Sequence, residues 1–219
     1  MGGRGARSKR QTTVYHLNSL SNDNNNTPPH RRSQAPVQID LPEFPENRKK
    51  GMTDEQALAV LAAEETIRRA NREYVVIVNQ FGKIVGCNNG DISSVRVPDV
   101  PSGSTFAIIH NHPSGGTFSL TDIRTNAHLH FERMSVVSSK ATYILRHKED
   151  RRLLGYNSER LARAYEKANN STQFRILETI HKIIPNSKSF RKFFLDCHHN
   201  WFKNNAEKYG FEYTMELEK

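Results

Sequence analysis

Two histidines, His110 and His112, leave a short apolar run two residues apart. The run itself, Phe106-Ala107-Ile108-Ile109, reads as a strand that is apolar on both faces and therefore central in a sheet. Side chains at i and i+2 of a strand point to one side, so both imidazoles come within reach of one ion. Asp122 follows ten residues after His112, in the first turn of a helix opening at Ser119-Leu120-Thr121-Asp122. The Pro113-Ser114-Gly115-Gly116 stretch between them is turn chemistry, and a tight loop there folds Asp122 back over the histidines. Two histidines and one carboxylate with an open fourth position match the ligand count of a catalytic Zn2+ site. Zinc in such a site lowers the pKa of the water in the open position toward ~7.

Each residue also has a plainer reading. Ser119 and Asp122 are an N-cap and its N3 partner, which begin a helix with no catalysis involved. The two roles are compatible. A lone His110 would read as a buried histidine with satisfied nitrogens, and only the cluster turns it toward a ligand. Ser114-Gly115-Gly116 matches no phosphate-loop spacing and reads as a turn beside the metal. His128 and His130 fall two apart on a helix and face different sides. Cys197-His198-His199 has no partner at ligand spacing and reads as a packed or solvated helix end.

The elements that must position these groups begin near Thr53. Thr53-Asp54-Glu55-Gln56 is a capping box, and Leu58, Leu61, Ala62 and Ile67 carry the helix toward Asn71. Tyr74–Val78 and Lys83–Cys87 form a hairpin about Gln80-Phe81-Gly82. Val95-Arg96-Val97 reads as a further strand stopped by Pro98. The helix from Ser119 is expected to reach Arg133, followed by strands at Met134–Ser138 and Thr142–Arg146. Beyond Asp150 the pattern reads as helical to the end, over Ser158–Ala168, Thr172–Ile184 and Ser189–Tyr209. The last of these carries enough aromatic surface to need a docking partner.

Composition narrows the class. Hydrophobic residues make up 36% of 219 residues, so only part of the chain can fill a core. Residues 1–50 are rich in Pro, Gly and polar side chains and read as a disordered basic tail. Val37–Leu41 within them reads as linker, with an edge strand as the alternative. Arg31-Arg32 and Arg48-Lys49-Lys50 read as solvated tail charges. The net charge of +9 divides as +5 over residues 1–50, 0 over 51–146 and +4 over 147–219. Nucleic-acid contact would therefore be weak and peripheral, because the segment with the chemistry is neutral. No run approaches the ~18 apolar residues of a membrane span, and no apolar leader opens the chain. Two distant cysteines, Cys87 and Cys197, exclude a disulfide scaffold and fit a cytoplasmic setting.

The His-x-His-Pro then Ser-x-x-Asp order resembles the signature of the JAMM (JAB or MPN-plus) metallopeptidases. The wording His110-Asn111-His112-Pro113-Ser114-Gly115 looks most like the RadC-like branch. The opening Met1–Ala6 and the Phe118–Ile123 wording resemble small modules of bacteriophage and mobile elements. The likeness covers residues 53–146. It implies an α/β fold, JAMM-like (cytidine-deaminase-like), with a curved, mostly antiparallel sheet flanked by helices. Together with the composition and the helical pattern, it divides the chain into a tail (1–50), a hydrolase domain (51–148) and a helical C-terminal extension (149–219). It assigns His110, His112 and Asp122 to zinc and Ser119 to the oxyanion. Glu73, just before the Tyr74 strand, takes the place of the family's acid/base. Its alternative is a helix-end charge paired with Arg69 or Arg72. The implied reaction is cleavage of a peptide or isopeptide bond in a protein substrate, such as a ubiquitin-like conjugate.

One departure stands out. Six residues, Pro113–Phe118, separate His112 from Ser119 where the family pattern has seven, and Phe118 stands where a proline is common. Two alternatives to the enzyme therefore stay open. One is a catalytically weak binding or structural module of a phage or mobile element. The other is a RadC-like nucleic-acid-associated protein.

Overall fold

The computed structural model describes residues 46–101, 105–185 and 187–218. The expected tail, with Val37–Leu41 and Arg31-Arg32, lies outside the described residues up to position 45. Its last residues do not behave as tail. Glu46–Lys49 form a short helix, α1, and Arg48 is buried. Its guanidinium donates to Glu216 and Glu218 at the far end of the chain, and to Thr142. The reading of Arg48 as a solvated charge is thus corrected: opposite charges from a C-terminal strand enclose it.

Six strands form one open, mixed sheet. They are β1 (Tyr74–Asn79), β2 (Ile84–Asn89), β3 (Thr105–Asn111), β4 (Arg133–Val137), β5 (Ala141–His147) and β6 (Phe211–Leu217). Their spatial order is β2-β1-β3-β4-β5-β6. Only β3 and β4 run parallel; every other neighbouring pair is antiparallel. The parallel pair needs a crossover, and α3 (Leu120–Leu129) supplies it. All seven residues of β3 are buried, as its unbroken apolar run predicts for a central strand.

Helices cover both faces. On one, α2 (Asp54–Ile67) packs Val60, Ala63 and Ile67 over Val76, Val78, Ala107 and Ile109. Its capping box is present as read, but the helix ends at Ile67, short of Asn71. Gly82, at φ +70°, lets the β1–β2 turn press against the start of α2, where a Cβ would meet the Glu55 carbonyl carbon at 2.4 Å. On the other face Val75, Ile77 and Ile108 meet Phe118, Ile123, Leu161, Tyr165 and Phe202. These come from α3, α4 (Leu154–Asn169), α6 (Lys188–Asn205) and the loop before α3. Between α4 and α6 lies α5 (Thr172–Ile183).

Two expectations fail here. Residues 95–97 are irregular, not a strand: Pro98 packs close to Gly86 of β2, and Val95 and Val97 lean on the core from a loop. The chain is also not helical to its end. After α6 and a 3-10 turn at Ala206–Tyr209, Gly210 at φ +80° reverses the chain into β6, which pairs along β5 from His147–Phe211 to Ala141–Leu217. The C-terminal extension is therefore helical only in part. It stays within the same compact unit as the sheet by adding an edge strand, β6. Among the described residues no helix is long and apolar enough to cross a membrane.

Beneath α2, Glu64 and Arg133 make a fully enclosed ion pair at 3.3 Å, with side chains 0% and 2% exposed. Glu64 Oε2 and Arg133 Nε have no hydrogen-bond partner among the described residues. Removing one member of such a pair strands the other charge out of water. Arg133→Ala is expected to lose about 3–5 kcal/mol in urea unfolding. The double change Glu64→Leu with Arg133→Met is expected to regain most of that loss.

Candidate metal centre

His110 is the penultimate residue of β3 and pairs in register with Val75 of β1. It therefore lies on the Val75–Ile77–Ile108 face of the sheet, opposite α2. His112 leaves the strand two residues later, on the same side. Their Nε2 atoms converge to 3.2 Å. Asp122 comes over them from the first turn of α3, with Oδ1 at 3.3 Å from His110 Nε2 and Oδ2 at 3.6 Å from His112 Nε2. One ligand atom from each of the three lies within 4.8 Å of the others.

The electrostatics favour an anion beside two imidazoles. Burial alone would raise the Asp122 carboxyl, but His110, His112 and the Ser119 N–H hold it well below the usual range. Burial works against a charged His110, yet Asp122 and Glu73 lift its pKa above the ordinary value. His112 moves down, through burial and the neighbouring His110. Its Nδ1 lies 3.2 Å from the Gly116 carbonyl, which can only accept. The ring therefore carries its proton on Nδ1 and leaves the Nε2 lone pair free within the site, as a metal ligand requires.

The short loop from Pro113 to Phe118 is clamped by the C-terminal elements. Tyr143 donates to the Gly115 carbonyl at 3.3 Å, and Arg191 of α6 donates to that of Ser114 at 2.8 Å. Thr117 and Tyr213 of β6 share a hydrogen bond of 2.9 Å. Phe118 is buried against Phe202 and Tyr213, and Tyr165 donates to its carbonyl at 3.2 Å. Phe118 thus fills the core that α6 and β6 build, and the six-residue spacing still delivers Asp122 to the histidines. Ser119 caps α3: its hydroxyl accepts from the Asp122 N–H, and its own N–H donates to Asp122 Oδ2 at 2.6 Å. Both roles of the Ser119–Asp122 pair are compatible in this geometry. The Ser119 side chain is exposed to the cleft beside the histidines.

Glu73 precedes β1 by one residue and shares the parity of Val75, so it faces the His110 side. Two backbone bonds, Glu73 N–H to Asp91 and Gly90 N–H to Glu73, extend the β1–β2 pairing and hold it there. Glu73 lines the same cleft as the three ligand candidates. Among the described residues no ion pair with Arg69 or Arg72 engages it. Burial is the main force raising its pKa; Asp122 and Asp91 add to it, and His110 opposes. Glu64, on the other face and paired with Arg133, has no access to this cleft.

Asn111, between the two histidines, is a residue whose part the sequence did not disclose. It points to the opposite face, accepts from the Tyr74 N–H at 2.7 Å and donates to the Arg72 carbonyl at 2.8 Å. It ties the strand of the histidines to the segment that carries Glu73. The Cys197-His198-His199 run is also accounted for: His198 bonds the Tyr165 hydroxyl at 2.6 Å and His199 that of Tyr213 at 3.0 Å. Both tyrosines touch the Thr117–Phe118 segment, so these histidines brace the loop. The contacts come from far along the chain, and no local spacing announces them.

The donor set fits a divalent metal: two neutral-capable imidazoles, one carboxylate held ionised, an oriented tautomer, and an open side toward a cleft of about 750 Å3. No protein-family model, curated protein or solved structure matches the chain.

Proposed function

We propose that this chain is a zinc-dependent hydrolase of the JAMM type that cleaves a peptide or isopeptide bond. The observation that carries the reading is the meeting of His110, His112 and Asp122 in one cleft with Glu73, which has no ion-pair partner among the described residues. His110 Nε2, His112 Nε2 and an Asp122 oxygen would hold the ion. Bound zinc supplies Lewis acidity toward a water and toward the scissile carbonyl. Glu73 would take a proton from the attacking water at its carboxylate and return it to the leaving amine. The Ser119 hydroxyl, already accepting from Asp122 N–H, keeps its own proton free to donate to the developing oxyanion. Gly116 and the loop clamp hold His112 in the ligating tautomer.

Metal analysis of the purified chain tests this directly. One zinc per chain is expected, lost in His112→Ala, followed by turnover in a peptidase and isopeptidase screen. A chain that takes up no zinc leaves a folded adaptor, and one that takes it up without turnover leaves a binding module.

Affinity is also expected to depend on pH with a definite sign. Protons compete with the metal for both imidazoles. His110, with the raised pKa, protonates first as pH falls, and His112 follows at lower pH. Zinc affinity should therefore fall about tenfold per pH unit below the His110 pKa, and more steeply once His112 titrates. Chelator competition between pH 8 and pH 5 reads this slope; a flat profile would exclude the histidines as ligands.

A further inference from the structure

The cleft extends well beyond the three ligand candidates. Its volume of about 750 Å3 far exceeds an ion and its water, which fills ~30 Å3. The floor holds Glu73, His110, His112 and Asp122. One wall is the C-terminal helical pair, where Phe174 of α5 and Phe194 and Leu195 of α6 line the cleft while remaining partly exposed. Phe174 and Phe194 both rest edge-on against His198, at centroid distances of 5.0 and 4.7 Å. Burial pushes His198 down to about 4, so this surface carries no charge from it at neutral pH. The wall adjoins the metal loop. A Cβ placed on Gly116 would lie 3.3 Å from Leu195 Cδ2 and 3.9 Å from His112 Nδ1. His198 also bonds Tyr165, which donates to the Phe118 carbonyl one residue before Ser119. The apolar surface is therefore held in fixed relation to the reacting groups.

We propose that Phe174, Phe194 and Leu195 form an apolar subsite that takes a bulky aliphatic or aromatic side chain of a peptide substrate, beside the bond that is cut. The occupant follows from continuity with the polar floor. An extended peptide can set its backbone amides over the imidazoles and acids, and its side chains, at ~3.3 Å per residue, against the wall. The C-terminal helices are then specificity elements, not a distant attachment. The location of the cut bond rests on the hydrolase reading; the subsite itself does not.

The test uses the zinc-loaded full chain carrying Glu73→Gln, with fluorescein-labelled pentapeptides Gly-Gly-X-Gly-Gly, where X is Phe, Leu, Ser or Lys. Fluorescence anisotropy reads binding without turnover. The Phe and Leu peptides are expected to bind about tenfold or more tightly than Ser and Lys, the scale on which apolar pockets discriminate. Phe194→Ala and Phe174→Ala, on separate helices, should each cut that ratio below about threefold. Phe194→Leu keeps apolar bulk beside His181 and should retain the preference, which separates a lost pocket from a collapsed one. Equal binding of all four peptides, or a preference untouched by both alanine variants, overturns the subsite. A parallel cleavage assay with the unmodified Glu73 chain keeps the two ideas apart. Preference without cleavage retires the hydrolase and retains the subsite; cleavage of all four peptides at equal kcat/KM does the reverse.

Discussion

Glu73→Gln is expected to lower kcat by about 10³-fold while zinc stays bound at full stoichiometry. General acid–base groups contribute roughly 10²–10⁴-fold, and Glu73 is asked to serve both in the attack and in release of the amine. Gln is nearly isosteric and can occupy the same space, but it cannot take a proton. Neither the ligand set nor the backbone bonds at Asp91 and Gly90 involve the Glu73 carboxylate, so metal uptake and folding should be spared. Steady-state kinetics beside metal analysis reads both quantities. A loss of zinc would make Glu73 a ligand, and an unchanged kcat would remove it from the mechanism. Asn111→Ala offers a companion measurement, since that amide fixes residues 70–74 from the far face of β3. It should lower kcat by less than Glu73→Gln and leave zinc affinity nearly unchanged, because it shifts a carboxylate and not a ligand.

The parts of this fold that were legible in the sequence are those with local causes. Both capping boxes, at Thr53–Gln56 and Ser119–Asp122, stand where the residue types placed them. The period of two carried His110 and His112 to one side; Glu73 was reached only through the family resemblance, and the register of Val75 with His110 sets it on that side in the fold. β6 was also readable. Phe211-Glu212-Tyr213-Thr214-Met215-Glu216-Leu217 alternates apolar and polar after a glycine, but the aromatic helix before it drew the helical reading past its end. The residues that remained hidden act across long separations. Arg48 is enclosed by carboxylates about 170 positions away, and Tyr143, Tyr165, Arg191 and Tyr213 seize a loop that no local pattern connects to them. Such contacts depend on the order of strands in the sheet, and the return of β6 to its edge was not foreseen. Phe118 illustrates the difference. As a departure from a motif it suggested a weakened site, whereas in the fold it is the residue through which the C-terminal elements hold that site in shape.

Asp122→Asn separates the two roles that the Ser119–Asp122 pair combines. Asn keeps an oxygen that can accept from the Ser119 N–H, so the start of α3 should survive. What is lost is the negative charge, worth about 0.3–1 kcal/mol at a helix N-terminus, and the anion that sits 3.3 Å from His110. Stability should therefore fall only slightly. Zinc affinity should fall by more than about 100-fold, since changing even a group that merely supports a ligand costs 10–100-fold. Ser119→Ala is expected to do the opposite. It removes the hydroxyl that accepts from the Asp122 N–H and should cost about 1 kcal/mol of stability, with zinc still bound. Urea unfolding and chelator competition on the two variants form a crossed pair. If Asp122 were only a helix cap, Asp122→Asn would leave zinc uptake at the wild-type level, and the pair would differ in stability alone. A charge-removing, nearly isosteric change that empties the site while α3 stays folded would assign the carboxylate to the metal, because the helix does not need the charge and a dication between two imidazoles does.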